Sequence, residues 1–152
     1  MADKIIFLDI DGVILSVRSA AAFGGYPWRV RKEDLKLFDP IAVGLIRRAC
    51  KERGAKIVLS SVWRFTVGYK LLAERLDLPM IDSTPLNHSG ESRGGEIKKW
   101  LEQHPGVKTY AIVDDDTDML NEQIPFFVDV DSKNGFSWNN YEKLMVILKG
   151  GE

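Results

Sequence analysis

Three short apolar runs decide most of what this chain can fold into: KIIFLD at 4–9, AKIVLS at 55–60 and TYAIVD at 109–114. Each is rich in Ile, Val, Phe or Tyr and lacks the polar alternation of a strand with one wet face. Such runs suit strands buried on both faces of a parallel sheet. PFFVDV (125–130) follows at a distance that suits an edge or near-edge strand, and Met80–Ile81 offers a short one. Helical segments lie between them. Asp39 and Pro40 make an N-cap and first-turn pair ahead of IAVGLIRRACKER, which ends at Gly54. GEIKKWLEQHPG (95–106) puts Ile97, Trp100 and Leu101 on one face and stops at Pro105. Ser137 is placed to cap a last helix whose expected buried stripe is Trp138, Tyr141, Leu144, Met145 and Leu148. Strands alternating with helices predict a three-layer α/β domain around a central, mostly parallel sheet.

With 152 residues the chain has the size of one domain (1–152), large enough to bury its own core. A formal net charge of −1 gives no bulk attraction to nucleic acid or membrane, so any such affinity must be local. The lone cysteine, Cys50, sits in the helix after Pro40, where it reads as a small buried hydrophobe and not a nucleophile. No apolar run is long enough to span a bilayer, and MADKIIFLD lacks the features of a signal peptide, so the expected location is cytoplasmic and no membrane partner is expected.

The polar residues then fall at informative places. Each of the three best strands runs into residues suited to phosphate or metal: Asp9 and Asp11, Ser60 and Ser61, and Asp114, Asp115, Asp116 and Asp118. In open parallel sheets the ligand crevice lies at the carboxyl ends of the strands, so all three groups converge on one edge. Four carboxylates in five positions repel, at roughly 4 kcal/mol per close pair for an effective dielectric of about 20. A divalent cation reverses that repulsion. An acidic surface turn accounts for one cluster but leaves the second cluster and the serines unexplained. In D-x-D-G both carboxylates reach one cavity while Gly12 lets the chain turn away. One can attack phosphorus, and the other can pass a proton to the leaving oxygen and later take one from water.

LDIDGVI, then LSS at a strand end, then a basic residue before a helix, then IVDDDTD resembles the haloacid dehalogenase (HAD) superfamily of phosphohydrolases in order and spacing. FLDIDGVI with KIVLSSVWR, RGGEIKKWL and AIVDDDTDM is similar to the small HAD phosphatases found alone, often in phages, or as a domain of RNA-repair proteins. The resemblance implies a Rossmann-like HAD fold, a Mg²⁺ cofactor, an aspartyl-phosphate on Asp9 and a general acid and base at Asp11, whose carbonyl would also face the metal. It makes Ser60 the hydroxyl that holds the transferring phosphoryl group, with Ser61 as its possible substitute. It makes Arg93 the basic residue, with Lys98 as second choice. Asp114 best matches the metal ligand, with Asp115 and Asp118 either binding directly or organising water, and Asp116 a bystander.

The gaps between motifs leave no room for a large cap domain, so the expected site is open, flanked by a small flap at about 14–38. There Tyr26 and Trp28 can stack on a base while Arg29, Arg31 and Lys32 approach phosphates. Packing of the flap onto the body is the competing role for both aromatics. Arg64 is a candidate for substrate phosphate or for pairing with a carboxylate. His88 lies in a polar loop near Arg93, and His104 at a helix end where charge complementation suffices. The expected substrate is a nucleotide or nucleic-acid terminal phosphate, or another phosphorylated small molecule. Two rivals stand beside this: a receiver-like domain phosphorylated on Asp, and an inactive HAD-fold module that binds a phospho-ligand. A receiver would carry its phosphorylated Asp on a middle strand, where this chain has Ser60. Loss of Asp9 or Asp11 would mark the inactive module, and both are present. No GxxxxGK[ST] pattern occurs.

Overall fold

The computed structural model describes residues 3–85 and 91–150. Five strands, β1 (Lys4–Leu8), β2 (Lys56–Leu59), β3 (Met80–Ser83), β4 (Thr109–Asp114) and β5 (Phe127–Asp129), form one sheet in the order β3-β2-β1-β4-β5. Every pairing is parallel. This is the doubly wound order 3-2-1-4-5, in which the strand order reverses between β1 and β4, and it differs from the 2-1-3-4-5 order of receiver domains.

Helices cover both faces. The helices α1 (Val17–Phe23), α2 (Pro40–Arg53), α3 (Trp63–Thr66), α4 (Tyr69–Leu76), α5 (Arg93–Glu102) and α6 (Trp138–Lys149) follow in chain order. One core joins Ile6, Leu8, Ile57 and Val113 of the sheet to Ile46 of α2, Leu72 of α4 and Leu144 of α6. The other face packs Ile5, Phe7 and Ile112 against Ile97 and Trp100 of α5, with the Phe7 and Trp100 rings edge to face at 5.4 Å. The caps follow local chemistry. Asp39 accepts hydrogen bonds from the amides of Ile41 and Ala42, and Gly54 closes α2 at φ 66°. Cys50 is buried in α2, and burial pushes its thiol up to about 12, which suits a hydrophobe rather than a nucleophile.

Three local expectations need correction. Residues 125–126 belong to a 3₁₀ turn, Asn121–Phe126, so the edge strand starts at Phe127. Met80–Ile81 extends to a four-residue strand. Trp138 is 60% exposed instead of lining the core, because at the first helical position its ring stacks on Tyr141 at 5.2 Å.

Residues 14–38 hold no inserted cap. They contain α1, held by reciprocal Ser16–Ser19 capping, and a 3₁₀ turn at Lys32–Leu37. Pro27, Val30 and Phe38 are buried and anchor this segment, while Trp28 and Arg29 stay exposed between the anchors. Among the described residues, no helix is long and apolar enough to cross a membrane.

Candidate active site

The ladders of the sheet put the key side chains on one rung. Leu8 pairs with Leu59 on one side and with Val113 on the other, so the next residues, Asp9, Ser60 and Asp114, lie abreast at the carboxyl ends of three adjacent strands. The Asp9 amide donates to the Val113 carbonyl at 3.0 Å, and the Ser60 amide to the Leu8 carbonyl at 2.8 Å, which extends both ladders one step into the site. The crevice therefore opens at the reversal between β1 and β4, where an open α/β sheet binds its ligand.

Asp9 and Asp114 are both buried. Oxygens of Asp9, Asp114 and Asp115 lie within 4.8 Å of one another, close enough to share one cation. Burial and the facing Asp114 carboxylate push the Asp9 carboxyl up to about 9, against the pull of Arg93. Burial raises Asp114 to about 6, with Arg93 and the Asp116 amide pulling it down. The pair thus holds a proton through neutral pH, in the place a cation would take. Three hard oxygen donors around that point suit Mg²⁺.

Arg93 is the cation the fold supplies here. Its guanidinium lies 3.6 Å from Asp9 Oδ1 and 3.5 Å from Asp114 Oδ2, and it donates to the Ser60 carbonyl. Lys98 points elsewhere, to Glu122 at 3.8 Å on the half-exposed side of α5. Ser60 Oγ is buried and, among the described residues, has no hydrogen-bond partner. A buried hydroxyl left unpaired costs stability unless a ligand completes it. Ser61 Oγ instead accepts from the Trp63 amide at 3.2 Å and starts α3.

The Asp11 carboxylate is exposed, and the Trp63 indole N–H donates to its Oδ1 at 3.1 Å. Gly12 turns the chain at φ 81°, and a Cβ there would collide with the Asp115 carboxylate. The first acidic loop therefore rests directly on the second.

Asp118 stands outside the cluster around Asp9. Its carboxylate accepts from the Arg93 amide at 3.3 Å and its carbonyl from the Gly94 amide at 3.0 Å, so it caps the start of α5. Gln123, buried in the following 3₁₀ turn, donates from Nε2 to the Gly94 carbonyl at 2.8 Å and accepts from the Leu120 amide at 2.9 Å. A Cβ on Gly94 would meet Gln123 Oε1 at 2.5 Å and the Leu120 nitrogen at 2.7 Å. Only glycine permits this close clasp between α5 and the acidic loop. Asp116 uses its amide to hold Asp114 Oδ1 at 2.9 Å and its carboxylate to accept from the Asp118 amide at 3.1 Å.

Arg64 is committed to Glu96 of α5 at 2.5 Å in a pair whose side chains are both 7% exposed, so of its two candidate roles the structure displays the carboxylate pairing. Burial lowers the Arg64 pKa and raises that of Glu96, and their mutual attraction opposes both shifts. In the flap, Arg31 is held by Asp34 through Nε at 2.9 Å and Nη2 at 3.3 Å. Arg29 instead lies over the Trp28 ring at 4.3 Å, and Trp28 is 71% exposed. His104 Nδ1 lies 2.6 Å from the Trp100 carbonyl and its ring stacks on the Trp100 indole, so a structural partner accounts for it. His88 lies outside the described residues. Nothing in the sequence marks the supporting roles of Trp63, Gln123 and Gly94 beyond the position of Trp63 two residues after the serine pair.

A family model described as the HAD domain in Swiss Army Knife RNA repair proteins matches residues 5–141 of the chain. No curated protein and no solved structure matches it.

Proposed function

The chain belongs to this HAD-domain family, and from that membership we propose that it is a Mg²⁺-dependent phosphatase that removes a terminal phosphate through an aspartyl-phosphate on Asp9. The observation that carries the proposal is the meeting, at one rung of the sheet, of Asp9 and the Ser60 hydroxyl, which has no partner among the described residues, with the Arg93 guanidinium from α5. An Asp9 oxygen attacks phosphorus while the bond from phosphorus to the ester oxygen breaks, and Asp11 gives that oxygen its proton. A water then attacks the same phosphorus as Asp11 takes its proton, which frees Asp9 and inorganic phosphate. Arg93 and Ser60 Oγ hold the phosphoryl oxygens, where preorganised donors lower the barrier most. Asp9, Asp114 and Asp115, with the Asp11 carbonyl, would hold Mg²⁺, whose charge offsets that of the phosphate against the carboxylates. Asp118 acts one step back, on the α5 N-terminus.

The test is a phosphate-release screen with Mg²⁺ over mononucleotides, 3′- and 5′-phosphorylated oligonucleotides, phosphosugars and phosphopeptides. Phosphorylated RNA ends are expected to stand out. No Mg²⁺-dependent release from any class overturns the proposal.

Arg93 and Lys98 separate cleanly. Arg93→Ala is expected to lower kcat/KM by about 10²–10³-fold, the range for removing one preorganised donor at a developing charge. Lys98→Ala, which breaks only a half-exposed 3.8 Å pair, is expected to stay within about twofold. Equal losses would remove Arg93 from the phosphoryl site.

Trp63 fixes the acid. With Oδ1 accepting from the indole, Oδ2 is the Asp11 oxygen left to carry the proton. Trp63→Phe keeps an aromatic ring in the buried slot beside Phe38 but removes the N–H. It is expected to slow an alkyl phosphate by about tenfold, the worth of roughly one hydrogen bond. p-Nitrophenyl phosphate, whose leaving oxygen needs no proton, is expected to lose far less. A uniform loss on both substrates would assign Trp63 to packing alone.

A further inference from the structure

Asp11 protonates the leaving oxygen in the reading above, so the body of the leaving group must lie on the Asp11 side of the phosphoryl position. A groove of about 480 Å³ opens there, lined by Asp11, Trp28, Arg29, Val62, Trp63 and Val67 among others. Its size is that of a small-molecule site. Its walls are unlike one another. Val62, on the turn after the serine pair, is 56% exposed, and Trp28, on the opposite flap, is 71% exposed. Both apolar side chains line the same groove beside the Asp11 carboxylate, as the walls of a ligand site do. Pro27 and Val30 are buried on either side, so Trp28 is held out by an anchored backbone.

Charge is placed selectively. Arg31 is neutralised by Asp34, and Arg64 by Glu96. The Arg29 guanidinium carbon lies 4.3 Å over the Trp28 ring, and its charge acts on Asp34 more weakly than that of Arg31 does. The groove therefore offers an exposed aromatic plane, a facing aliphatic wall and one cation. A sugar phosphate would leave the aromatic and aliphatic walls uncovered, and an acidic peptide would find one cation. A flat heteroaromatic ring joined to a phosphodiester satisfies all three.

We propose that this groove is the leaving-group subsite for a terminal nucleoside, its base seated between Trp28 and Val62 and the phosphodiester to the next nucleotide met by Arg29. The subsite rests on the phosphatase reading only for its orientation. Its binding can be tested without turnover.

The test is calorimetric titration of the Asp9→Asn protein, with Mg²⁺ present, by 3′- and 5′-phosphorylated dinucleotides, nucleoside monophosphates and glycerol phosphate. A dinucleotide is expected to bind about ten- to a hundredfold more tightly than glycerol phosphate, the range of one base stacked on an aromatic side chain. Asp9→Asn/Trp28→Ala and Asp9→Asn/Val62→Glu are expected to shrink that preference by at least about fivefold, within the same range. Asp9→Asn/Arg29→Gln is expected to weaken the dinucleotide more than the monophosphate and to flatten its salt dependence. Glycerol phosphate binding as tightly as the dinucleotide, or a preference intact in both the Trp28 and Val62 variants, overturns the subsite. Groove-dependent binding with no phosphate release by the native protein would sink the phosphatase and leave the subsite standing. Release from glycerol phosphate and nucleotides at equal kcat/KM would do the reverse.

Discussion

Asp9→Asn is expected to abolish turnover, by on the order of 10⁴-fold or more as for other nucleophile losses, while making the metal-free protein more stable at pH 8. The two effects have one cause. Asp9 is 6% exposed, and burial together with Asp114 raises its carboxyl to about 9. At pH 8 folding must therefore either hold a proton on Asp9 or place its charge against that of Asp114. An amide of the same shape removes that conflict. Its oxygen can still face Arg93, and its N–H₂ group turns a repulsive contact with Asp114 into a hydrogen bond. It cannot attack phosphorus. Phosphate release and thermal melts in EDTA check both halves. Retained turnover would place the nucleophile elsewhere, and a lower melting temperature would mean that repulsion at the site is already relieved.

Asp114→Ala is expected to cost nearly all activity and most of the stabilisation that Mg²⁺ brings. A cation at one hundred times its Kd stabilises the fold by about 2.7 kcal/mol, which for a chain of this size moves the melting temperature by roughly 5–10 °C. The shift is expected to depend on pH in a definite sense. Burial pushes the Asp9 and Asp114 carboxyls up to about 9 and about 6 in the folded protein, above the ordinary carboxylate range, so the folded metal-free protein binds protons that the unfolded chain has released. The contribution of these two carboxyls to stability is fully present below about pH 4 and is lost as pH rises through about 6 and on toward 9. Protons and Mg²⁺ compete for the same oxygens, so the Mg²⁺ shift is small at pH 5 and large at pH 8. Asp116→Ala should keep both shift and activity, since Asp116 holds Asp114 through its backbone amide, which the substitution spares. Melts at the two pH values, with Mg²⁺ and with EDTA, measure this. A shift that ignores pH would place the cation away from these carboxylates.

The sheet was legible because buried parallel strands write themselves as continuous apolar runs, and β1, β2 and β4 each end within a residue or two of the run that encodes them. The strand-end residues were legible for the same reason, since a parallel ladder fixes which ends lie abreast. What stayed hidden depends on contacts between distant parts of the chain. Trp63 reaches Asp11 across 52 positions, Arg64 reaches Glu96 across 32, and Gln123 reaches Gly94 across 29. No local period encodes such pairs. α1 escaped notice because its only buried residue is Ser19, so no apolar stripe marks it. Trp138 misled because an aromatic in step with a helical stripe can sit just beyond the edge of the core.

The clasp between α5 and the acidic loop carries a consequence for how ligands act on each other. Gln123 and the Asp118 carbonyl bind the Gly94 peptide, so the acidic loop that would hold a cation is joined to the start of α5, which carries the Arg93 guanidinium. Ordering either half is therefore expected to favour order in the other. Thermodynamic reciprocity then requires that Mg²⁺ raise the affinity for inorganic phosphate by the same factor by which phosphate raises the affinity for Mg²⁺. Gln123→Ala weakens the link and leaves the Asp118 contacts to Arg93 and Gly94 in place, and is expected to reduce that shared factor severalfold, within the usual range of coupling energies of about 1–3 kcal/mol. Titrating each ligand in the presence and absence of the other reads the factor from both directions. The molecule would then be a heterotropic device, in which the product phosphate tightens the grip on the cation and retards its own departure.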